Sequence, residues 1–156
     1  MKQFLRFSLL SVFFLSACTW GEGAIKKKAL AEAEAQFREF VMKEADLAIS
    51  NNWLKEGFVE YIDKQSEFEV KEVKNIGESE AMVTVTVMSI EPQQRKVMAE
   101  IAGRVDKDKV RNFNFANARQ MIAQQTGGSL AKVSLPPYEI HLRKSGSEWQ
   151  VVKQQQ

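Results

Sequence analysis

The chain has one cysteine, one histidine, three prolines and eight glycines in 156 residues. A single cysteine excludes an intrachain disulfide, so the fold relies on its core alone. One histidine without a second thiol leaves a zinc site of the usual nitrogen and sulfur kind short of ligands. No Gly-rich phosphate loop, nucleophile elbow or metalloprotease helix occurs, so neither a catalytic set nor a cofactor has a motif behind it. The apolar stretch from Phe7 to Leu15 is too short to span a bilayer, which takes about 20 residues. Neither sign of charge dominates, with 22 basic and 20 acidic residues. The first 17 residues hold two of the basic ones, Lys2 and Arg6, and no acidic one. The remaining 139 carry 20 of each. A nucleic-acid partner needs a concentrated basic face, and this balance argues against one.

What is present begins at the N-terminus. Lys2 and Arg6 precede the apolar run, which ends in Leu15-Ser16-Ala17-Cys18. A basic start and a short apolar core read as an export signal. The stretch resembles the bacterial lipoprotein signal peptide, whose lipobox is Leu, two small residues and Cys, and all four positions match. The resemblance implies cleavage between Ala17 and Cys18, a diacylglyceryl group on the Cys18 sulfur and, in many bacteria, acylation of the new amine. The membrane is then the first partner, and the cell envelope the location. Each buried methylene contributes about 0.8 kcal/mol, so one acyl chain holds marginally and two or more hold firmly. Thr19 stands where an Asp favours inner-membrane retention, which implies outer-membrane sorting in a double-membraned host.

The implied organisation is a signal peptide over 1–17, an acylated tether over 18–23, one domain over 24–153 and a disordered tail over 154–156. A chain of this length suits one domain that buries about two-thirds of its unfolded surface. The five residues Thr19 to Gly23 span at most about 18 Å, which keeps the domain near the headgroups. Trp20 suits the bilayer interface. Lys26, Lys27 and Lys28 sit at the expected helix start. There they oppose the helix dipole by a few tenths of a kcal/mol each, and an anionic membrane would offset that by up to about 1 kcal/mol per Lys. These four residues are the candidate membrane contacts; the competing reading of the lysines is a solvated first turn.

Periodicity supplies the elements. Ala24 to Ser50 reads as a long helix with Leu30, Ala33, Phe37, Phe40 or Val41, and Leu47 as its stripe and a gap at Glu44. Asn51-Asn52 breaks it and caps a second helix, Trp53 to Lys64. Phe68 and Val70 alternate with charges, Asn75 to Glu78 is a turn signal, and Val83, Val85 and Val87 alternate with threonines, which predicts an antiparallel hairpin. After Pro92, residues 93–105 fit a helical face through Val97, Met98, Ile101, Ala102 and Val105. They also fit strand alternation through Val97, Ala99 and Ile101, and their Ala, Met, Gln and Glu content favours helix. Asn114 caps a further helix that Gly127-Gly128 end. Thr126 to Pro137 reads as a loop or irregular lead-in to a strand through Tyr138, Ile140 and Leu142, and Trp149 to Val152 form the last strand. The order is ααββααββ. It predicts an α+β fold, with an antiparallel sheet of about four strands and helices packed on one face.

Long N-terminal helices before a sheet that closes on Gly146-x-x-Trp149-x-Val151-Val152 are similar to the nuclear transport factor 2-like superfamily. That resemblance implies a cone-shaped domain, in which some members bind or transform small apolar ligands with acidic residues and tyrosines. No catalytic residue is carried over by position. Tyr61 reads as core and Asp63 as surface. His141, on a strand face with Glu139 and Arg143, reads as solvated. Phe113 and Phe115, two residues apart around a helix start, cannot share one helical face; core packing is the leading reading for them, and the competing one has one stapling the core while the other lines a pocket. The resulting expectation is a lipid-anchored, non-enzymatic envelope module that docks an envelope protein or a ligand. Its alternative is a cone-shaped pocket for a small apolar ligand.

Overall fold

The computed structural model describes residues 13–152, with side chains from residue 21 onward. Helix α1 (Phe13–Ala48) is its long axis. Its 36 residues rise over about 54 Å. The buried residues along it are Ile25, Ala29, Ala33, Phe37, Val41 and Ala45, continued by Ile49 just past its end. The spacing is four throughout. Each step of four overshoots a full turn by about 40°, so the row winds around the helix and faces different neighbours at its two ends. Ile25, Ala29 and Ala33 pack on the sheet, whereas Phe37 to Ile49 pack in a second cluster with the other helices.

That drift corrects the expected stripe. Val41 is buried and Phe40 is half exposed, Leu30 is only partly buried, and Leu47 is 90% exposed. The helix also starts upstream of Ala24. The expected tether, residues 19–23, is helical in backbone, and Lys26 to Lys28 lie more than three turns inside α1 rather than at its start. Residues 1–12 and 153–156 lie outside the described part. The side chains of Ala17, Cys18 and Trp20 lie outside it too.

Helix α2 (Asn52–Lys64) follows, capped by Asn51, whose Oδ1 accepts from Leu54 N at 3.1 Å. Strands β1 (Glu67–Gly77) and β2 (Glu80–Ser89) form the hairpin. Its turn is Glu78-Ser79, so β1 runs through most of the expected Asn75–Glu78 turn. Residues 93–105 prove mainly helical: α3 spans Pro92–Gly103, with Pro92 in the first turn, where its missing N–H is no loss. A 3₁₀ turn (Val110–Asn112) leads to α4 (Phe115–Thr126). Asn114 caps α4 and Gly127 ends it at φ 64°, a left-handed position that suits glycine. Strand β3 (Val133–Ser145) begins earlier than expected and contains Pro136-Pro137. The prolines donate no hydrogen bond, and the pairing slips between Val85 and Val87 to pass them. Strand β4 is Glu148–Val151.

The strands form one antiparallel sheet in the order β1-β2-β3-β4. Ala81, Val83, Val85, Ile140 and Leu142 turn inward under α1, which touches all four strands. Helices α2 and α3 pack on α1, and α4 packs on them. The fold is α+β in the expected order.

Glu44, the gap in the stripe, holds this arrangement in place. Arg95 of α3 is 1% exposed and donates from Nε and Nη2 to the two Glu44 oxygens at 2.8 and 3.0 Å. Its Nη1 donates to Ile90 O at 2.8 Å, and its guanidinium carbon lies 5.9 Å from the Phe37 ring and 5.7 Å from the Phe40 ring. Eight residues on, Gly103 meets α1 so closely that a Cβ would stand 2.0 Å from Ala48 O. Removing one partner of a buried pair strands the other charge. Glu44→Ala is expected to lower unfolding free energy by about 3 kcal/mol, the low end for such pairs because Glu44 is a quarter exposed. The joint change Glu44→Leu with Arg95→Met is expected to recover most of that loss. Urea denaturation of the three proteins measures both.

Candidate functional site

Past Gly103 the chain leaves α3 and crosses the end of the molecule. Lys109 N donates to Asp106 O at 2.9 Å, which rounds the chain into a turn, and Lys109 Nζ lies 3.2 Å from Asp106 Oδ2. A surface hollow of about 550 Å³ lies against this segment. Ile101, Val105 and Phe113 supply its apolar part, and Arg104, Asp106, Lys109 and Asn112 its polar part. A smaller hollow of about 270 Å³ adjoins it across Val105 and reaches Ser50, Asn51, Gly103 and Lys107. Two cations, Arg104 and Lys109, and one carboxylate, Asp106, therefore surround the apolar floor of the larger hollow. That chemistry suits an apolar side chain flanked by negative charge on a docking segment.

Phe113 and Phe115 do take different environments, and the pocket reading holds for Phe113 although it also packs on the core. Phe115 is buried, with its ring 5.7 Å from Phe58 and 6.0 Å from Tyr61, and Phe113 meets it edge-on at 4.8 Å while lining the hollow. Tyr61 packs against the core, and the half-buried Asp63 pairs with Arg38 at 3.3 Å. Two buried polar side chains brace the loop after α4. Gln94 Nε2 donates to Ser129 O at 2.8 Å, and Arg119 Nε donates to Gln94 Oε1 at 3.4 Å. Gln94 and Arg119 gave no signal in the sequence, because each sits on a helix that is polar over much of its surface.

The face of the sheet away from α1 is open and charged. Thr84 Oγ1 donates to Glu139 at 3.0 Å, and Arg143 Nε donates to Glu80 Oε1 at 2.8 Å. His141 shares this face with Glu139 and Arg143 as expected, but it is not solvated. Its side chain is 21% exposed, and its buried Nε2 makes no hydrogen bond, lying 3.7 Å from Glu80 Oε2. The hydrogen bond from Arg143 holds the Glu80 carboxyl below the usual carboxylate range, against the opposing effect of burial. Burial pushes the Tyr138 hydroxyl above the usual tyrosine range, with Arg95 opposing and Glu44 adding to the rise.

Among the described residues, no cluster of three His, Cys, Asp or Glu side chains is placed to hold a metal ion, and no helix is long and apolar enough to cross a membrane. Lys26, Lys27 and Lys28 are exposed, and Lys26 Nζ lies 2.6 Å from Glu22 Oε1. The structure does not bring these lysines to the hollow. They lie near the other end of α1. Comparison with protein-family models, curated proteins and solved structures finds no match.

Three outcomes test this geometry. Arg104→Glu with Lys109→Glu is expected to leave unfolding free energy within about 0.5 kcal/mol, as for ordinary surface changes. Phe113→Ala is expected to destabilise, by less than the about 3–5 kcal/mol of a fully buried Phe; urea denaturation separates rim from floor. In an NMR titration, Arg143→Gln is expected to move the Glu80 carboxyl back up toward its ordinary range. A depressed carboxyl stabilises the fold above its unfolded value, and that contribution is lost as pH falls through the folded one. The variant is therefore expected to show a weaker dependence of stability on pH below the carboxylate range.

Proposed function

We propose that this chain is a bacterial lipoprotein, held to a cell-envelope membrane by acyl chains on Cys18. Its α+β domain is a non-enzymatic module that docks an envelope partner. The observation that carries the reading is Leu15-Ser16-Ala17-Cys18 at the end of a basic and apolar leader. Cleavage after Ala17 makes Cys18 the first residue, and Thr19 directs the protein to the outer membrane where the host has one.

The placement of the ends supports the docking role. Cys18 and Ala48 are 30 residues apart on one helix, which is about 45 Å of rise. The hollow beside Arg104 and Phe113 lies at the far end from the anchor, where a second protein has access. The cone-shaped, nuclear transport factor 2-like reading remains the alternative for the fold family. A ligand role of that kind needs a volume between helix and sheet. Ala33, Phe37, Phe68, Val85 and Val87 pack together in that space, which favours docking at the surface.

Cys18→Ser is expected to move the protein from the membrane to the soluble envelope fraction. Mass spectrometry of the mature N-terminus is expected to find a diacylglyceryl-modified Cys18 in the parent. Recovery of the parent in soluble form with an unmodified thiol, or with residues 1–17 still attached, would overturn the reading.

A further inference from the structure

Two arginines among the described residues are buried, and the fold does not treat them alike. Arg95 is matched by the Glu44 carboxylate. Arg119 of α4, 5% exposed, has only neutral partners. Its Nε donates to Gln94 Oε1 at 3.4 Å, and its Nη2 donates to Leu130 O at 2.5 Å. Its Nη1 makes no hydrogen bond, yet it is not sealed off: among the described residues the one enclosed side-chain atom without a partner is His141 Nε2. The free end of the Arg119 guanidinium therefore meets solvent.

No carboxylate of the fold supplies the missing charge. Residues 109–138 contain Lys109, Arg111, Arg119 and Lys132 and not one Asp or Glu. On α2, which packs against α4, Glu60 and Asp63 are paired with Lys64 and Arg38. Glu56 of α2, Glu91 just before α3 and Glu100 within it make no ion pair among the described residues. A guanidinium keeps its charge when buried, and neutral oxygens offset its lost hydration less well than a carboxylate does. The loop over this site is tightly placed. Gln94 Nε2 holds Ser129 O at 2.8 Å, and a Cβ at Gly128 would stand 3.0 Å from Thr126 Oγ1. Leu130, whose carbonyl Arg119 grips, leaves half of its side chain exposed.

We propose that Arg119 is a binding site for a carboxylate from outside the domain, which accepts from the free end of the guanidinium at Nη1. Charge and shape set the ligand class. One guanidinium offers one positive charge, which a monoanion matches. Its end presents parallel N–H groups that fit the two oxygens of a carboxylate. The Gln94 and Leu130 oxygens already on Nε and Nη2 repel a second negative charge, which disfavours phosphate. The exposed Leu130 side chain adds an apolar contact for the molecule that carries the carboxylate. That molecule is either a small free acid or a docked protein with an acidic side chain. The site shares no residue with the hollow beside Phe113 and needs no lipid on Cys18.

The full chain in detergent micelles, with isotope-labelled arginine, tests this by NMR, the Arg119 Nε–H signal being assigned through its own backbone amide. Sodium acetate, exchanged for sodium chloride at constant total salt, is expected to shift that signal saturably and several-fold more than those of Arg104 and Arg111. A blocked leucyl-glutamate peptide distinguishes the sources: saturation at several-fold lower concentration than acetate assigns the carboxylate to a docked protein, and saturation at the same concentration assigns it to a small acid. No saturable shift, a shift that chloride reproduces, or a response to inorganic phosphate as strong as that to acetate overturns the proposal. Acetate is also expected to raise the thermal midpoint of the parent and not that of Arg119→Gln, and an equal rise in both overturns the site. Should Arg119→Gln fail to fold, the titration of the parent decides alone.

Discussion

The ion pair between Glu44 and Arg95 is the constraint around which the helical half of this protein is arranged. Between β2 and β3 the chain makes a helical excursion and must come back in register. Arg95 lies in the first turn of α3, six residues past the end of β2, and it grips the Ile90 carbonyl behind it and the Glu44 carboxylate across the interface. Burying a guanidinium this deeply is expensive, and two apolar residues of similar size would serve stability about as well. What the pair supplies is position. A carboxylate accepting two parallel donors fixes distance and direction together. Gly103, pressed onto Ala48, fixes the other end of α3. Between those two points α3 cannot slide along α1, and the segment that lines the hollow starts from a defined place.

Much of this was legible in the residues. The caps at Asn51 and Asn114, the stop at Gly127, the valine alternation of β2 and the order ααββααββ all follow from local chemistry, where each signal sits beside the backbone group it satisfies. The register of α1 did not follow. A template of alternating threes and fours suits a helix that lies on one flat layer. Here the row of strict fours winds from sheet to helices, so Leu47 is exposed and Ala29 and Ala45 are buried. Alanine carries little hydrophobic signal, yet it permits the closest approach. Glu44 was visible only as a flaw, because its partner is 51 residues away. The hollow was half legible. The spacing of Phe113 and Phe115 assigned them different roles, but the basic rim comes from residues that read as ordinary solvated charges.

The sheet is finished differently on its two faces and at its edge. Toward α1 it is closed by small and branched apolar side chains. Away from α1 it is covered by ion pairs and by the Thr84–Glu139 hydrogen bond, which leave no broad apolar surface. The long outer strand β1 is an edge, and an edge invites another strand. Charged side chains along Glu67–Lys74 and two irregularities in its pairing make β1 a poor template. The open face is thereby suited to solvent.

The first turns of α1 are where the helix is weakest. Gly21 and Gly23 each disfavour helix by about 1 kcal/mol relative to Ala. No atom outside the helix stands within 4 Å of a Cβ built at either position, so tertiary packing does not compensate. The Glu22–Lys26 pair restores only a few tenths of a kcal/mol. A short helical segment without packing is marginal in water. The helical start observed here and the loose tether that the two glycines suggest are therefore close in free energy. A domain hung on that segment alone would take many orientations above a bilayer. If the hollow is to face a partner at a set height, the direction must be imposed by a contact away from the anchor.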